Sequence, residues 1–227
     1  MNNIIELAVF DMAGTTVDEQ NVVYKTLHKA IENKGVELTL DTVLEFGAGK
    51  EKHQAIKDIL VFLKIESLDT VDIFNDFKLM LDLAYQELEV KPIQGALETL
   101  TTLKERGIKI VLNTGYNKQV ATNLLKKLNW QEGKIYDTLI TASDVEKGRP
   151  HPEMIEKAMG LFEIKDASKV LKVGDSMIDI EEGKNANCGI TIGVLSGAQT
   201  KEQISSAYPT YILDSIKEIP SLLKLNE

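Results

Sequence analysis

Three aspartates, a threonine and an arginine are the residues of this sequence best placed to do chemistry, because each follows an apolar run. Ile4 to Phe10 leads into Asp11-Met12-Ala13-Gly14-Thr15. Ile108 to Leu112 leads into Asn113-Thr114-Gly115-Tyr116. Residues 138–141 lead to Lys147-Gly148-Arg149-Pro150, and residues 170–173 lead to Gly174-Asp175, with Asp179 four residues on. An apolar run that ends in a polar residue reads as a buried strand delivering that residue to a sheet rim.

Asp11, Asp175 and Asp179 offer hard carboxylate oxygens of the kind that hold Mg²⁺, which takes a few carboxylates together with water and a substrate phosphate. A carboxylate can also attack phosphorus and carry it as an acyl phosphate. Three crowded acids need a cation before an anionic group can approach. Arg149 and the Thr114 hydroxyl are suited to phosphoryl oxygens, and Gly115 lets backbone N–H groups come close. Lys147 is a second cation on the same stretch, but Arg149 has the better register beside Pro150.

The elements that must position these residues alternate. Strands are expected at Ile4–Phe10, Ile108–Leu112, Thr138–Ile140, Val170–Val173, Ile190–Val194 and Tyr211–Leu213, with helices between them. This pattern predicts an α/β fold, a doubly wound, Rossmann-like and mostly parallel sheet covered on both faces. Residues 20–89 show only helical spacing: Val23, Leu27, Ala30 and Ile31, then Ile56, Ile59, Leu60 and Leu63, then Val71, Phe74, Phe77, Leu81, Ala84, Tyr85 and Leu88. The expected organisation is therefore a core of residues 1–19 and 90–227 with a helical cap inserted at 20–89.

The four polar stations resemble, in order, the four motifs of the haloacid dehalogenase superfamily. Asp-x-Ala-Gly-Thr at 11–15 and arginine before Pro150 are similar to its phosphonatase branch, the phosphonoacetaldehyde hydrolases and their relatives. The resemblance implies that Asp11 is the nucleophile, that Thr114 and Arg149 hold the phosphoryl group, and that Mg²⁺ is held by Asp11, Asp175, Asp179 and the Ala13 carbonyl. Tyr116 would line the cleft. Ordinary phosphatases of the superfamily have an acid where Ala13 stands, and losing a positioned general acid costs ~10²–10⁴ in rate. Phosphonatases use a cap lysine instead, as a Schiff base with the substrate aldehyde, and Lys50 falls at that place with His53 three residues later. Phe46-Gly47-Ala48 differs from the Met-Gly-Leu of that branch, and Glu19-Gln20-Asn21-Val22 lacks its cysteine and proline. Two substrate readings follow: C–P cleavage of phosphonoacetaldehyde or a similar aldehyde, or hydrolysis of a small phosphomonoester, as in a phosphoglycolate phosphatase. A reading of another class is a non-catalytic, phosphate-responsive module built like a signalling receiver; a large cap argues against it.

Composition narrows the partners. The net charge is −9 over 227 residues, so a nucleic-acid partner is not expected, whereas a small anion held by local cations is. The single cysteine, Cys188, excludes an internal disulfide and a cysteine-built metal site. No basic start precedes a long apolar run, and no stretch approaches the ~20 apolar residues of a membrane span, so the expected location is the cytoplasm. The resemblance leaves a homodimer through the cap open.

Overall fold

The computed structural model describes residues 5–47 and 52–224. Its centre is β1 (Leu7–Asp11), whose five residues are all buried. Both faces of this strand are covered, which is why it is apolar without alternation. A turn after β1 is closed by the Met12 carbonyl, which accepts from the N–H groups of Thr15, Thr16 and Val17. The chain then forms a short strand, β2 (Val17–Asp18), and leaves for the helical segment. It returns through β3 (Lys91–Pro92), which pairs antiparallel with β2, Val17 opposite Pro92 and Asp18 opposite Lys91.

The remaining strands are β4 (Lys109–Thr114), β5 (Thr138–Thr141), β6 (Val170–Gly174), β7 (Ile190–Val194) and β8 (Tyr211–Leu213). With β1 they form one six-stranded sheet in the order β5-β4-β1-β6-β7-β8. Every pairing in it is parallel. The chain fills one side of β1 with β4 and β5, then crosses to fill the other with β6, β7 and β8. The order therefore reverses at β1, where a doubly wound sheet opens its crevice. Four strands run further than the sequence suggests: β1 takes in Asp11, β4 takes in Asn113 and Thr114, β5 takes in Thr141 and β6 takes in Gly174. Polar residues can continue a strand when their side chains find buried partners.

The chain divides into two compact units, Met1–Asp18 with Val90–Glu227, and Glu19–Glu89. The second contains α1 (Val22–Glu32), α2 (Leu40–Gly47), α3 (Lys52–Phe62) and α4 (Thr70–Glu87). Val23, Leu27, Ala30 and Ile31 of α1 are buried, as the spacing predicts. On α4 the pattern needs one correction. Val71 is exposed and Ile73 is buried with Phe77. Val71 stands in the first turn, just past Asp69, whose carboxylate caps the helix by accepting from the Val71 N–H. The α/β unit carries α5 (Ala96–Glu105), α6 (Lys118–Lys127), α7 (Glu153–Leu161), α8 (Met177–Asn185), α9 (Lys201–Ser205) and α10 (Ile219–Leu222). Among the described residues no helix is long and apolar enough to cross a membrane.

Candidate active site

The register of the sheet sets the site. Asp11 lies beside Asn113 across the β1–β4 pair, and Phe10 lies beside Val173 across the β1–β6 pair. The ends of β1, β4 and β6 thus present Asp11, Asn113-Thr114 and Gly174-Asp175 on one rim. Asp179 comes from the first turn of α8, directly after β6. Each of Asp11, Asp175 and Asp179 is buried, and each offers an oxygen within 4.8 Å of the others.

Arg149 reaches into this cluster and uses all three of its nitrogens. Nη1 lies 2.7 Å from Asp11 Oδ1 and 2.9 Å from Asp179 Oδ1. Nη2 donates to the Asn113 carbonyl and to Asn113 Oδ1, both at 2.9 Å. Nε stands 3.3 Å from Glu182 Oε2, an ion-pair contact rather than an aligned hydrogen bond. The Arg149–Pro150 peptide is cis, and the Pro150 carbonyl accepts from Asn185 Nδ2 at the end of α8.

Beneath the arginine lies a second cation that the motif reading does not single out. Lys172, in the middle of β6, is fully buried. Its Nζ is 2.7 Å from Asn113 Oδ1, 2.9 Å from Glu182 Oε2 and 3.0 Å from Asp179 Oδ1. Glu182 accepts from Asn113 Nδ2 through both of its oxygens, at 2.9 and 3.0 Å. Asn113, Lys172 and Glu182 are thus site residues that sequence reasoning missed. Two signals pointed to Lys172 and Glu182: a lysine inside an otherwise apolar strand, and an acid three residues after Asp179 on the same helix face.

A loop after β7 closes over Asp175. The Ala198 N–H donates to Asp175 Oδ2 at 2.7 Å, and Ser196 Oγ donates to the Gly14 carbonyl at 2.7 Å. Gly14 is left-handed, with φ +77°, and a side chain at either Gly14 or Gly197 would run into the Asp175 carboxylate. Ser176 Oγ donates to Asp179 Oδ2 at 2.6 Å, and Thr15 Oγ1 is 3.5 Å from Asp175 Oδ1.

The protonation tendencies follow from this packing. Burial pushes the Asp11 carboxyl up to about 6, against the opposing pull of Arg149. Asp175 is raised well above the usual carboxylate range, first by burial and then by the charges of Asp11 and Asp179. Asp179 is also buried, but Arg149 and Lys172 outweigh the burial and hold it below its ordinary value. Fully ionised, the four carboxylates Asp11, Asp175, Asp179 and Glu182 would outnumber the two cations Arg149 and Lys172 by two charges, which is why burial and mutual repulsion raise Asp11 and Asp175. Hard oxygen donors and that excess of negative charge suit a divalent cation. The residues present therefore fit the metal that the motif pattern implies.

The other expected residues lie as follows. Thr114 is buried at the end of β4, and its Oγ1 accepts from the Tyr116 N–H at 3.2 Å. Gly115 and Tyr116 follow in the loop before α6, with open space around Gly115. Ala13 lies in the turn after β1, bridged to Val17. His53 belongs to α3 of the helical unit, where Nε2 is 3.1 Å from Thr70 Oγ1 and the ring stacks on Phe74. Lys50 lies outside the described residues. Lys147 does not supply the second cation; its backbone N–H donates to Glu153, and Lys172 stands in the cluster instead.

A parallel sheet with acids at the ends of β1 and β6, and a cation arriving from the loop after β5, defines a doubly wound α/β protein with an aspartate at the switch point. The profile of the haloacid dehalogenase-like hydrolases matches residues 8–194, and the chain belongs to that family. A phosphonoacetaldehyde hydrolase of Bacillus cereus (strain G9842) is 30% identical over 236 residues, covering 95% of this chain and 86% of that protein. The crystal structure of a phosphonoacetaldehyde hydrolase-like protein from Oleispira antarctica superposes with a TM-score of 0.80 at 23% identity, covering 97% of this chain and 91% of that one. A structure described as a predicted phosphoglycolate phosphatase from Haemophilus somnus 129PT gives 0.80 at 20% identity, covering 96% and 97%. At those identities the likeness is one of fold. The chain is thus a hydrolase of the haloacid dehalogenase superfamily, phosphonatase-like in its motifs and relatives.

Proposed function

We propose that this protein is a Mg²⁺-dependent hydrolase that cleaves a small phosphonate, phosphonoacetaldehyde or a close aldehyde relative, through an aspartyl-phosphate at Asp11. The observation that carries the reading is the pairing of Asp11 with Arg149 beside a turn where alanine stands in place of an acid. Arg149 Nη1 holds Asp11 Oδ1 at 2.7 Å, so the nucleophile is oriented by a cation suited to phosphoryl oxygens. Ala13 cannot protonate a leaving group, so the leaving group must be activated by other means.

In the proposed reaction the Lys50 amine condenses with the substrate aldehyde and water leaves, giving an iminium. Asp11 then attacks phosphorus and the C–P bond breaks. Its electron pair passes into the iminium to give an enamine, which is protonated on carbon and hydrolysed to free aldehyde. Water cleaves the acyl phosphate, releasing phosphate and restoring Asp11. Thr114 and Arg149 hold phosphoryl oxygens, with Gly115 and Tyr116 lining the approach. His53 serves proton transfer from the cap. Asp11, Asp175, Asp179 and the Ala13 carbonyl would hold Mg²⁺, which neutralises phosphoryl charge when bound.

Borohydride reduction in the presence of phosphonoacetaldehyde tests the reading. The expected result is a stable two-carbon adduct on Lys50, found by peptide mass, that disappears in Lys50→Arg. Turnover without any trapped lysine, together with hydrolysis of a phosphomonoester such as phosphoglycolate, would replace it with the phosphatase reading. Inactivity on both substrates would favour a phosphate-responsive module.

A further inference from the structure

We propose that Lys172 and Glu182 are positioning residues: with Asn113 they form a buried seat shaped for the arginine at 149. The proposal rests on the reading of Asp11 as the group that acts on substrate, because Arg149 is the group through which the seat would reach it.

The geometry is specific to arginine. Four residues stand around the three edges of the guanidinium: Asp11 and Asp179 at Nη1, Asn113 at Nη2, and Glu182 in ion-pair contact 3.3 Å from Nε. A planar fork can meet all three at once, whereas an ammonium is a single point charge at the end of a flexible stem. A lysine at 149 that served Asp11 would abandon Glu182 or Asn113. Glu182 is completely buried, and such a carboxylate is tolerated only with its charge answered. Lys172 answers it from below at 2.9 Å and braces Asn113 Oδ1 from the same atom. Asn113 in turn donates to both Glu182 oxygens, which fixes the plane of the carboxylate.

The packing makes room for this. The lysine lies under α8 at Gly183, where a Cβ would come within 2.9 Å of Lys172 Cβ and 2.7 Å of Thr191 Cγ2. Lys172 also touches Asp179 Oδ1, the oxygen that Nη1 contacts besides Asp11 Oδ1. One lysine therefore anchors both ends of the arginine fork without itself standing at the strand rim. This is how an outer layer of buried groups orients those that act.

The test uses Glu182→Gln, which keeps the shape and removes the charge. The chain has two arginines, Arg106 and Arg149, so the Nε–H region of a ¹H–¹⁵N spectrum carries two signals, and Arg106→Lys assigns them. In Glu182→Gln the Arg149 signal is expected to move upfield and to exchange faster with water. With phosphonoacetaldehyde, kcat is expected to fall about 10–100-fold while KM moves little. Lys172→Met should fall similarly, and Lys172→Met with Glu182→Gln should cost no more than the worse single change. Arg149→Lys should be costly in the parent and nearly neutral in the Glu182→Gln background. An Arg149 signal unmoved in folded Glu182→Gln overturns the seat. So does an Arg149→Lys penalty equal in both backgrounds. If the protein turns over neither phosphonate nor phosphate, the reading of Asp11 fails, and the arginine signal still decides whether the seat exists.

Discussion

The α/β unit and the helical unit spend their residues in opposite ways. The α/β unit buries five ionisable side chains in one cluster, Asp11, Lys172, Asp175, Asp179 and Glu182, with the half-buried Arg149 reaching in among them. The helical unit buries mainly apolar groups and leaves others outside: Val61, Phe62, Val71, Leu79 and Leu83 are all exposed. Buried charge is costly unless each group is placed to answer another, so the first region tolerates little change. A helix face of scattered apolar residues constrains nothing at that distance scale. The contrast teaches that the placement of Asp11 and Arg149 is fixed within the α/β unit, where side chains over-determine one another, while the exposed apolar surface of the helical unit is freer to vary.

The sharpest way to break that contrast is Asp11→Asn. It should lower turnover on the order of 10⁴-fold or more, with the circular dichroism spectrum unchanged, since the nucleophile goes and the shape stays. Retained activity in Asp11→Asn would move the chemistry elsewhere. Next comes Gly197→Ala. The new methyl would collide with the Asp175 carboxylate. We expect Mg²⁺ affinity, measured by titration calorimetry on the free protein, to weaken about 10–100-fold, because the methyl displaces a ligand. Unchanged affinity would show that Asp175 does not hold the ion.

A smaller effect concerns stability, and its sign follows from the raised carboxyl. The folded Asp11 titrates at about 6 and the unfolded one near 3.8, so the folded state holds the proton more tightly. Between these values stability falls as pH rises, and above about 6 the full penalty of the ionised form is present. Asp11→Asn removes the penalty. In EDTA at pH 7.5 the variant should be the more stable protein, by roughly 1–3 kcal/mol, with the advantage shrinking as pH falls from about 6 towards 4. Thermal melts across that range check it; an advantage that grows at low pH would contradict the stated burial effect.

What the sequence made legible follows the same division. Parallel strands covered on both faces are largely apolar, so Leu7–Phe10 and Ile110–Leu112 could be read directly, and so could the acids that follow strands. Lys172 could not. Its partners are Asn113 on β4 and Glu182 on α8, distant in sequence, and a lysine inside a strand carries no local mark of compensation. Nor could the choice between Val71 and Ile73, since both suit a helical period and only the start of α4 at Thr70 separates them. Local pattern reports which face is buried. It does not report which charges answer each other across the sheet.

The smallest expected effect tests the other half of the contrast. Leu79 and Leu83 stand one turn apart on α4 and are both exposed. Replacing both with lysine should change the stability of the isolated chain by no more than about 0.5 kcal/mol, as exposed positions usually allow. Association is a different quantity. If two copies of the chain meet through this helix, four new positive charges enter one interface, where unpaired charge opposes contact far more than it does in water. Sedimentation velocity over a concentration series should then show the parent shifting towards a dimer and the double variant staying monomeric, with equal melting temperatures at the lowest concentration. Identical sedimentation of the two proteins would leave the exposed leucines as plain surface. A loss of melting temperature at low concentration would show instead that this face is part of the helical unit's own packing, and that the two regions are less different than their burial suggests.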